Sequence, residues 1–174
     1  MGIAEKVCAF VMLLPSAFSQ SVSAFVAQNT GAGKPERAKK ALRYSVAVSL
    51  SISVFVFYFN FFHGDLLAGI FANDRAVVLE AADYLKAYAI DCLLTSFLFC
   101  FVGYFSGLGK TVFVMAQGIL GAFGVRIPVS FAMSRLPNVR LFYIGLATPC
   151  STVVQVLLCL GSYAHLARRE RTAR

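Results

Sequence analysis

The sequence predicts an all-α, polytopic integral membrane protein of about five transmembrane helices, and three observations carry that prediction. Hydrophobic residues make up 59% of the 174 and charged residues only 14%, with a mean hydropathy of +0.74, whereas soluble domains run near half apolar and a quarter charged. Five stretches of about 20 or more mostly apolar residues follow one another, each long enough at 1.5 Å per residue to cross a hydrocarbon core of roughly 30 Å. The cations behind the formal charge of +8 gather in Lys34 to Arg43 and in Arg168 to Arg174, each cluster abutting an apolar run. That is the positive-inside pattern of membrane proteins rather than a nucleic-acid-binding surface. A soluble globular core of this size has no use for so much apolar material.

The first span is drawn over 4–27. Residues 1–30 lack the cationic n-region and small-residue cleavage site of a signal peptide, so they read as mature structure. A basic hinge follows, Ala27 to Lys40. Its helix is expected to end at Gly31 or Gly33, because glycine takes the left-handed conformation of a helix end without steric cost. Pro35 and Glu36 suit the first turn of the next helix, where proline loses no needed hydrogen bond and a carboxylate faces the positive end of the dipole. The hinge residues Gln28, Asn29, Gly31, Gly33 and Lys34, with Arg37, are thus expected to cap helix ends and to meet anionic lipid.

The second span covers 40–62, and a longer connection runs from His63 to Asp74. Between Arg75 and Lys86 the acids Glu80 and Asp83 and the base Lys86 stand among Ala, Val and Leu, which reads as an amphipathic lead-in to the third span, 85–106. Gly107-Leu108-Gly109-Lys110 makes a short turn into the fourth span, 111–134. A turn at Leu136-Pro137-Asn138 precedes the fifth, 141–167, and a basic tail occupies 168–174. Seventeen Phe and seven Tyr with no Trp supply apolar bulk, and the tyrosines are expected to form a belt at headgroup level.

A cytoplasmic hinge puts Lys34, Arg37, Lys39, Lys40, Arg43, Lys110, Arg168, Arg169, Arg171 and Arg174 on one side and leaves Lys6, Arg75, Arg135 and Arg140 on the other. That asymmetry predicts a cytoplasmic C-terminus and an N-terminus outside. An outside N-terminus without a signal leads to the expectation that at least one helix precedes this sequence. The expected location is the cell membrane, the bacterial inner membrane above all.

Several stretches carry a family resemblance. Phe25-Val26-Ala27-Gln28-Asn29-Thr30-Gly31-Ala32-Gly33-Lys34, followed by Glu36-Arg37-Ala38, resembles the loop between the second and third helices of a lobe in the multidrug and toxic compound extrusion (MATE) family. Gly103-Tyr104-Phe105-Ser106-Gly107-Leu108-Gly109-Lys110-Thr111 and Arg126-Ile127-Pro128 are similar to that family's fourth-helix exit and fifth-helix motif, and Pro15 with Ser19 and Gln20 stands where a lobe's second helix often has proline. The resemblance implies two six-helix lobes, with residues 1–174 supplying five spans of the C-terminal lobe without its first helix. It also implies export of cationic or amphipathic compounds by sodium- or proton-coupled antiport with alternating access, no enzyme activity and no cofactor besides the coupling ion. The implied partners are the bilayer, the cargo and a missing N-terminal lobe or partner chain, with no nucleic acid. The competing expectation is a small membrane subunit that homo- or hetero-oligomerises to complete a pathway. A membrane enzyme would need His and acids clustered at one interface, a pattern absent from the sequence.

Asp91 is the one acid deep in an expected span, so it should face a cavity or a partner. It is the ion-coupling candidate, to bind a cation or exchange a proton, unless it is merely solvated near the outer end or paired with Lys86. One sodium-coupled branch of the resembled family carries an acid on this helix, and counting back from Gly107 places it nearer Thr95, which joins Asp91 as a candidate. Arg126, inside the fourth span beside Pro128, is expected to avoid lipid and either to hold the bent helix or act in gating, the favoured role, or to line the substrate cavity; Arg126 and Pro128 are thus cavity or gating candidates. Pro15, Pro128 and Pro149 are candidate kinks. Gln117, Tyr104, Phe99, Thr95 and Ser96 are candidates for a cavity lined by aromatic and uncharged polar groups. His63 and His165 flank helix ends and read as interfacial. Cys8, Cys92, Cys100, Cys150 and Cys159 lie in apolar runs without CxxC spacing and read as small buried hydrophobes, with no metal site. Gly109-Lys110-Thr111 is no phosphate-binding loop, since the required glycine five residues earlier is Tyr104.

Overall fold

The computed structural model describes residues 2–62, 75–134 and 147–172, and every element among them is helical. Helix α1 spans Gly2–Gly31, α2 Pro35–Phe62 and α3 Arg75–Gly107; α4, Thr111–Ile119, continues through a π-helical segment, Leu120–Arg126, into α5, Ile127–Ser134; α6 spans Ala147–Thr172. Five helical stretches are long and apolar enough to cross a membrane, namely Cys8–Gly31, Pro35–Phe62, Tyr88–Gly107, Thr111–Met133 and Thr148–Arg168. The protein is an all-α, multi-pass membrane protein. The 63–74 connection with His63, the turn at 136–138, and the side chains of Lys6, Arg75, Glu80, Asp83, Lys86, Arg135 and Arg140 lie outside the described residues.

Both short turns close with the same device. At the hinge the Gly33 amide donates to Thr30 O at 3.1 Å and the Lys34 amide to Asn29 O at 2.8 Å, with Gly33 at φ 68°. After α3 the Gly109 amide donates to Ser106 O at 3.0 Å and the Lys110 amide to Phe105 O at 2.9 Å, with Gly109 at φ 74°. This paired bonding around a left-handed residue is the Schellman closure, which satisfies carbonyls left over at a helix end. Gly33, not Gly31, carries the left-handed conformation. Pro35 then opens α2, and Glu36 in its first turn pairs with Lys39 at 3.5 Å. The basic segment before residue 40 is therefore helical, so α2 starts five residues earlier than the span boundary. Likewise no proline or glycine interrupts 75–86, and the expected lead-in is one continuous helix with the third span.

Helix α3 is the centre of the bundle, packed against α1, α2 and α6 and, at its end, α4. Against α1 the contact is backbone to backbone. A Cβ on Gly103 would collide with the carbonyl of Ser19, and one on Gly107 would lie 2.6 Å from the carbonyl oxygen of Ser23. Small residues four apart on both helices permit that approach, as in membrane helix pairs generally. Helix α2 buries the row Ala38, Leu42, Ser49, Ser53 and Asn60, and Ser49 and Ser53 of that row meet α3 at Ser96. Rings close the basic end: Tyr104 and Phe101 each meet Tyr163 edge-on at 5.8 Å, and Phe105 meets Phe113 at 4.9 Å.

Two expectations change here. Tyr88 and Tyr104 are buried in the bundle at 7% and 4% exposure, so that among the described residues Tyr44 and Tyr58 are the exposed tyrosine rings. Cys92, Cys100 and Cys159 are buried as expected, whereas Cys150 is exposed and Cys8 half-buried.

Candidate functional site

Two groups of buried polar side chains lie along the seams of α3 with α2 and with α6. On the α2 side the Ser53 hydroxyl donates to Ser49 O at 2.7 Å and is hydrogen-bonded to the Ser96 hydroxyl, while Ser49 Oγ lies 3.5 Å from Ser96 O. Two turns further along α2, both amide atoms of buried Asn60 lack a hydrogen-bond partner.

On the α6 side stands Asp91, 1% exposed. Thr152 Oγ1 lies 2.6 Å from Asp91 Oδ1 and 3.1 Å from Thr148 O. A hydroxyl has one proton to give, and the shorter contact with the more basic acceptor takes it. Thr95, one helical turn along from Asp91, faces the same carboxylate, but its buried Oγ1 completes no hydrogen bond. Arg126 acts on Asp91 through its charge. The side chain of Arg126 is nonetheless exposed on the described helices. Asp91 precedes Gly107 by sixteen residues, which at 1.5 Å per residue is about 24 Å along the helix.

The remaining candidates divide among separate contacts. Ser96 turns to α2, away from Asp91. Gln117 accepts from the Cys159 thiol at 3.6 Å, joining α4 to α6, and Tyr104 belongs to the ring cluster. Phe99 is half-buried, and Pro128 is exposed just past the π-helical segment. Asn29 Nδ2 donates to Phe25 O at 2.8 Å, within its own helix; Gln28, Gly31, Gly33 and Lys34 are exposed at the hinge. Two cavities open elsewhere. One, of about 390 Å³, lies between α1 and α2 among Phe18, Phe25 and Tyr44; the other, of about 370 Å³, lies between α4 and α6 beside Lys110. Neither is lined by Asp91 or by the aromatic and polar candidates. Among the described residues no three His, Cys, Asp or Glu group as a metal site.

The π-helical segment and its clasp were not anticipated from the sequence. Pro128 has no amide hydrogen for the carbonyl one turn earlier, and a π-turn shifts the bonding register to absorb that loss. Ser151 Oγ donates to Gly121 O at 2.6 Å, and Gln155 Nε2 reaches Ser151 Oγ at 3.3 Å. Gln155 occupies the space a Cβ on Gly121 would need. The available signal was Gly118, Gly121 and Gly124 at three-residue spacing ahead of a proline.

Comparison with known proteins gives a consistent set. The sequence model of the family described as MatE matches residues 1–132. The chain is 20% identical over 173 residues to the Bacillus subtilis protein named "Probable multidrug resistance protein YoeA", covering 99% of this chain and 37% of that one. It is 25% identical over 132 residues to the Mus musculus "Multidrug and toxin extrusion protein 1", covering 76% and 23%. With the "Multidrug export protein MepA" of Staphylococcus saprophyticus the identity is 30% over 139 residues, covering 78% and 30%. The chain therefore spans less than two fifths of the length of each of these relatives. Among solved structures none matches the chain.

Proposed function

The chain belongs to the MatE family, and we propose that it works as part of a secondary active efflux transporter. It exports cationic or amphipathic compounds in exchange for inward sodium ions or protons, by alternating access, and catalyses no covalent chemistry. The names of its relatives, multidrug resistance, extrusion and export proteins, support efflux of drugs. The five spans serve as most of a C-terminal lobe, completed by further helices from a second lobe or a partner chain. They sit in a cell membrane, the bacterial inner membrane, with the hinge and C-terminus cytoplasmic.

One observation carries the coupling part of this reading: Asp91 meets Thr152 in the bundle interior, with the unpartnered Thr95 Oγ1 one helical turn along from it. A carboxylate held in a membrane interior is costly unless something compensates its charge. One hydroxyl bond compensates it in part. A sodium ion would take the carboxylate and the two hydroxyl oxygens as ligands, in keeping with the preference of hard cations for oxygen; a proton would neutralise the carboxylate outright. Either exchange alters the contact between α3 and α6, and so biases the two access states. Arg126 and Pro128 act in cycling: the π-helical segment is the bend, and the positive charge helps to hold Asp91 when no cation is bound. A positive group is a poor direct partner for cationic cargo, which keeps Arg126 out of cargo recognition.

The test uses the native locus, so that it acts on whatever polypeptide naturally carries this chain. Everted membrane vesicles from the parent strain should move ethidium when a sodium or pH gradient is imposed, and vesicles from a strain with the locus inactivated should not. Equal ethidium movement in the two would contradict the transporter reading.

A further inference from the structure

The cavity between α4 and α6 has a chemistry that cationic cargo does not fit. It measures about 370 Å³ and is lined by Lys110, Ser162 and His165 over a floor of Phe105, Phe113 and Leu166, with Gly161 at one wall. None of these residues is acidic, and Lys110 forms no ion pair among the described residues. The cavity lies at the hinge end of the bundle, because Gly107 in the adjoining turn packs against Ser23 and Val26 near the end of α1. Around that end stand Lys34, Arg37, Lys40 and Arg43. Cationic cargo would be repelled here, whereas a phosphodiester would find an ammonium, a hydroxyl and an imidazole N–H.

What distinguishes the site from a pocket for a soluble anion is the surface leading out of it. On α6, Gly161, Ser162 and His165 share a helix face with Leu158 and Val154, three to eleven residues back along the helix, and those two are 38% and 36% exposed. Phe113 on α4 is followed two turns later by Leu120, at the start of the π-helical segment and 56% exposed. The stripe runs from the basic end toward the middle of the span. A ligand with an anionic head and apolar tails matches both parts at once, and basic pockets between membrane helices hold acidic headgroups by this combination.

We propose that this cavity is a binding site for an anionic phospholipid, its phosphate held by Lys110, Ser162 and His165 and its acyl chains lying along Leu158 and Val154. The bound lipid ties the start of α4 to the last turns of α6, at the opposite end of α4 from the Gly121–Ser151 clasp. The site is independent of what the protein transports and of which ion drives it.

Native mass spectrometry of the detergent-purified protein, tagged at its own locus, tests this with dioleoylphosphatidylglycerol, dioleoylphosphatidylcholine of the same acyl chains, and inorganic phosphate. The expected result is one tightly retained phosphatidylglycerol, weaker phosphatidylcholine binding, and no displacement by millimolar phosphate. Lys110→Gln should weaken phosphatidylglycerol binding about five-fold, the effect of one basic residue on an acidic lipid. Lys110 is exposed and makes no capping bond, so its loss leaves the fold intact. Gly161→Leu fills the cavity from a position where an added Cβ meets nothing within 4 Å, and should weaken binding with every charge kept. Lys40→Gln, outside the cavity, should change little. Equal retention of the two lipids, loss of binding in Lys40→Gln as large as in Lys110→Gln, or displacement by inorganic phosphate would each overturn the assignment.

Discussion

Thr152 Oγ1 approaches Asp91 Oδ1 at 2.6 Å inside the seam between α3 and α6, and the energetics of that pair follow from what each partner loses alone. A hydrogen bond to a charged acceptor contributes about 1.5–3 kcal/mol, and leaving the acceptor buried without it costs on that order. Thr152→Val keeps the shape and removes the donor. It should lower thermal stability by about 2 kcal/mol and change the dependence of ethidium efflux on ion concentration, while Thr152→Ser restores both. Efflux with unaltered ion dependence in Thr152→Val would detach the pair from coupling. For Arg126→Ala the expected outcome is a lower maximal efflux rate with the ranking of cationic cargoes retained. A changed ranking at full rate would place Arg126 in cargo recognition. Asp91 was legible in the sequence as an acid inside an apolar run, but its partner was not, because Thr152 is 61 residues away and threonine in a span is ordinary. Thr95 was legible as a cavity candidate, and joined the ion-coupling set only through the family resemblance and a count along the helix from Gly107.

At the scale of the elements, glycine does two different jobs that the sequence presents alike. Gly33 and Gly109 supply left-handed backbone at helix ends, whereas Gly103, Gly107 and Gly121 give up their side-chain volume to a neighbouring helix. The neighbours differ in how far they can yield. Gly103→Ala drives a methyl into the Ser19 backbone, so the α1–α3 seam must open, at a cost of about 1–3 kcal/mol by the usual effect of overpacking. Gly121→Ala meets the end of the flexible Gln155 side chain, which can rotate aside. Thermal unfolding followed by circular dichroism should therefore fall further for Gly103→Ala than for Gly121→Ala, and the reverse order would contradict the seam. The five spans were legible from length and hydropathy, and so was the hinge, because Gly, Pro and Glu each signal a helix end locally. The π-helical segment was not, since it depends on Pro128 and on a clasp from α6 acting together.

Over the whole molecule, the basic hinge, Lys110 and the basic end of α6 share one end of the bundle, with α3 running back to the hinge through its contact with Ser23 and Val26. Four spans separate the hinge from the basic end of α6 and two separate it from Lys110, and an even number of crossings returns the chain to the same side. A single cysteine introduced at Lys34 and one at Lys110, in a background free of the native cysteines, should react with a membrane-impermeant maleimide in everted vesicles and stay protected in intact cells. Labelling of the two from opposite sides would contradict the bundle, and labelling of both in intact cells would invert it.

The central claim is that the buried carboxylate of Asp91 links ion entry to drug export, and Asp91→Asn at the native locus tests it most directly. Asparagine keeps the size and removes both the charge and the proton that coupling exchanges. In everted vesicles with the variant present at the parental level, ethidium movement driven by a sodium or pH gradient should fall to the level of the inactivated strain. Gradient-driven movement equal to the parent's would contradict the claim, and Asp91 would then be a structural partner of Thr152.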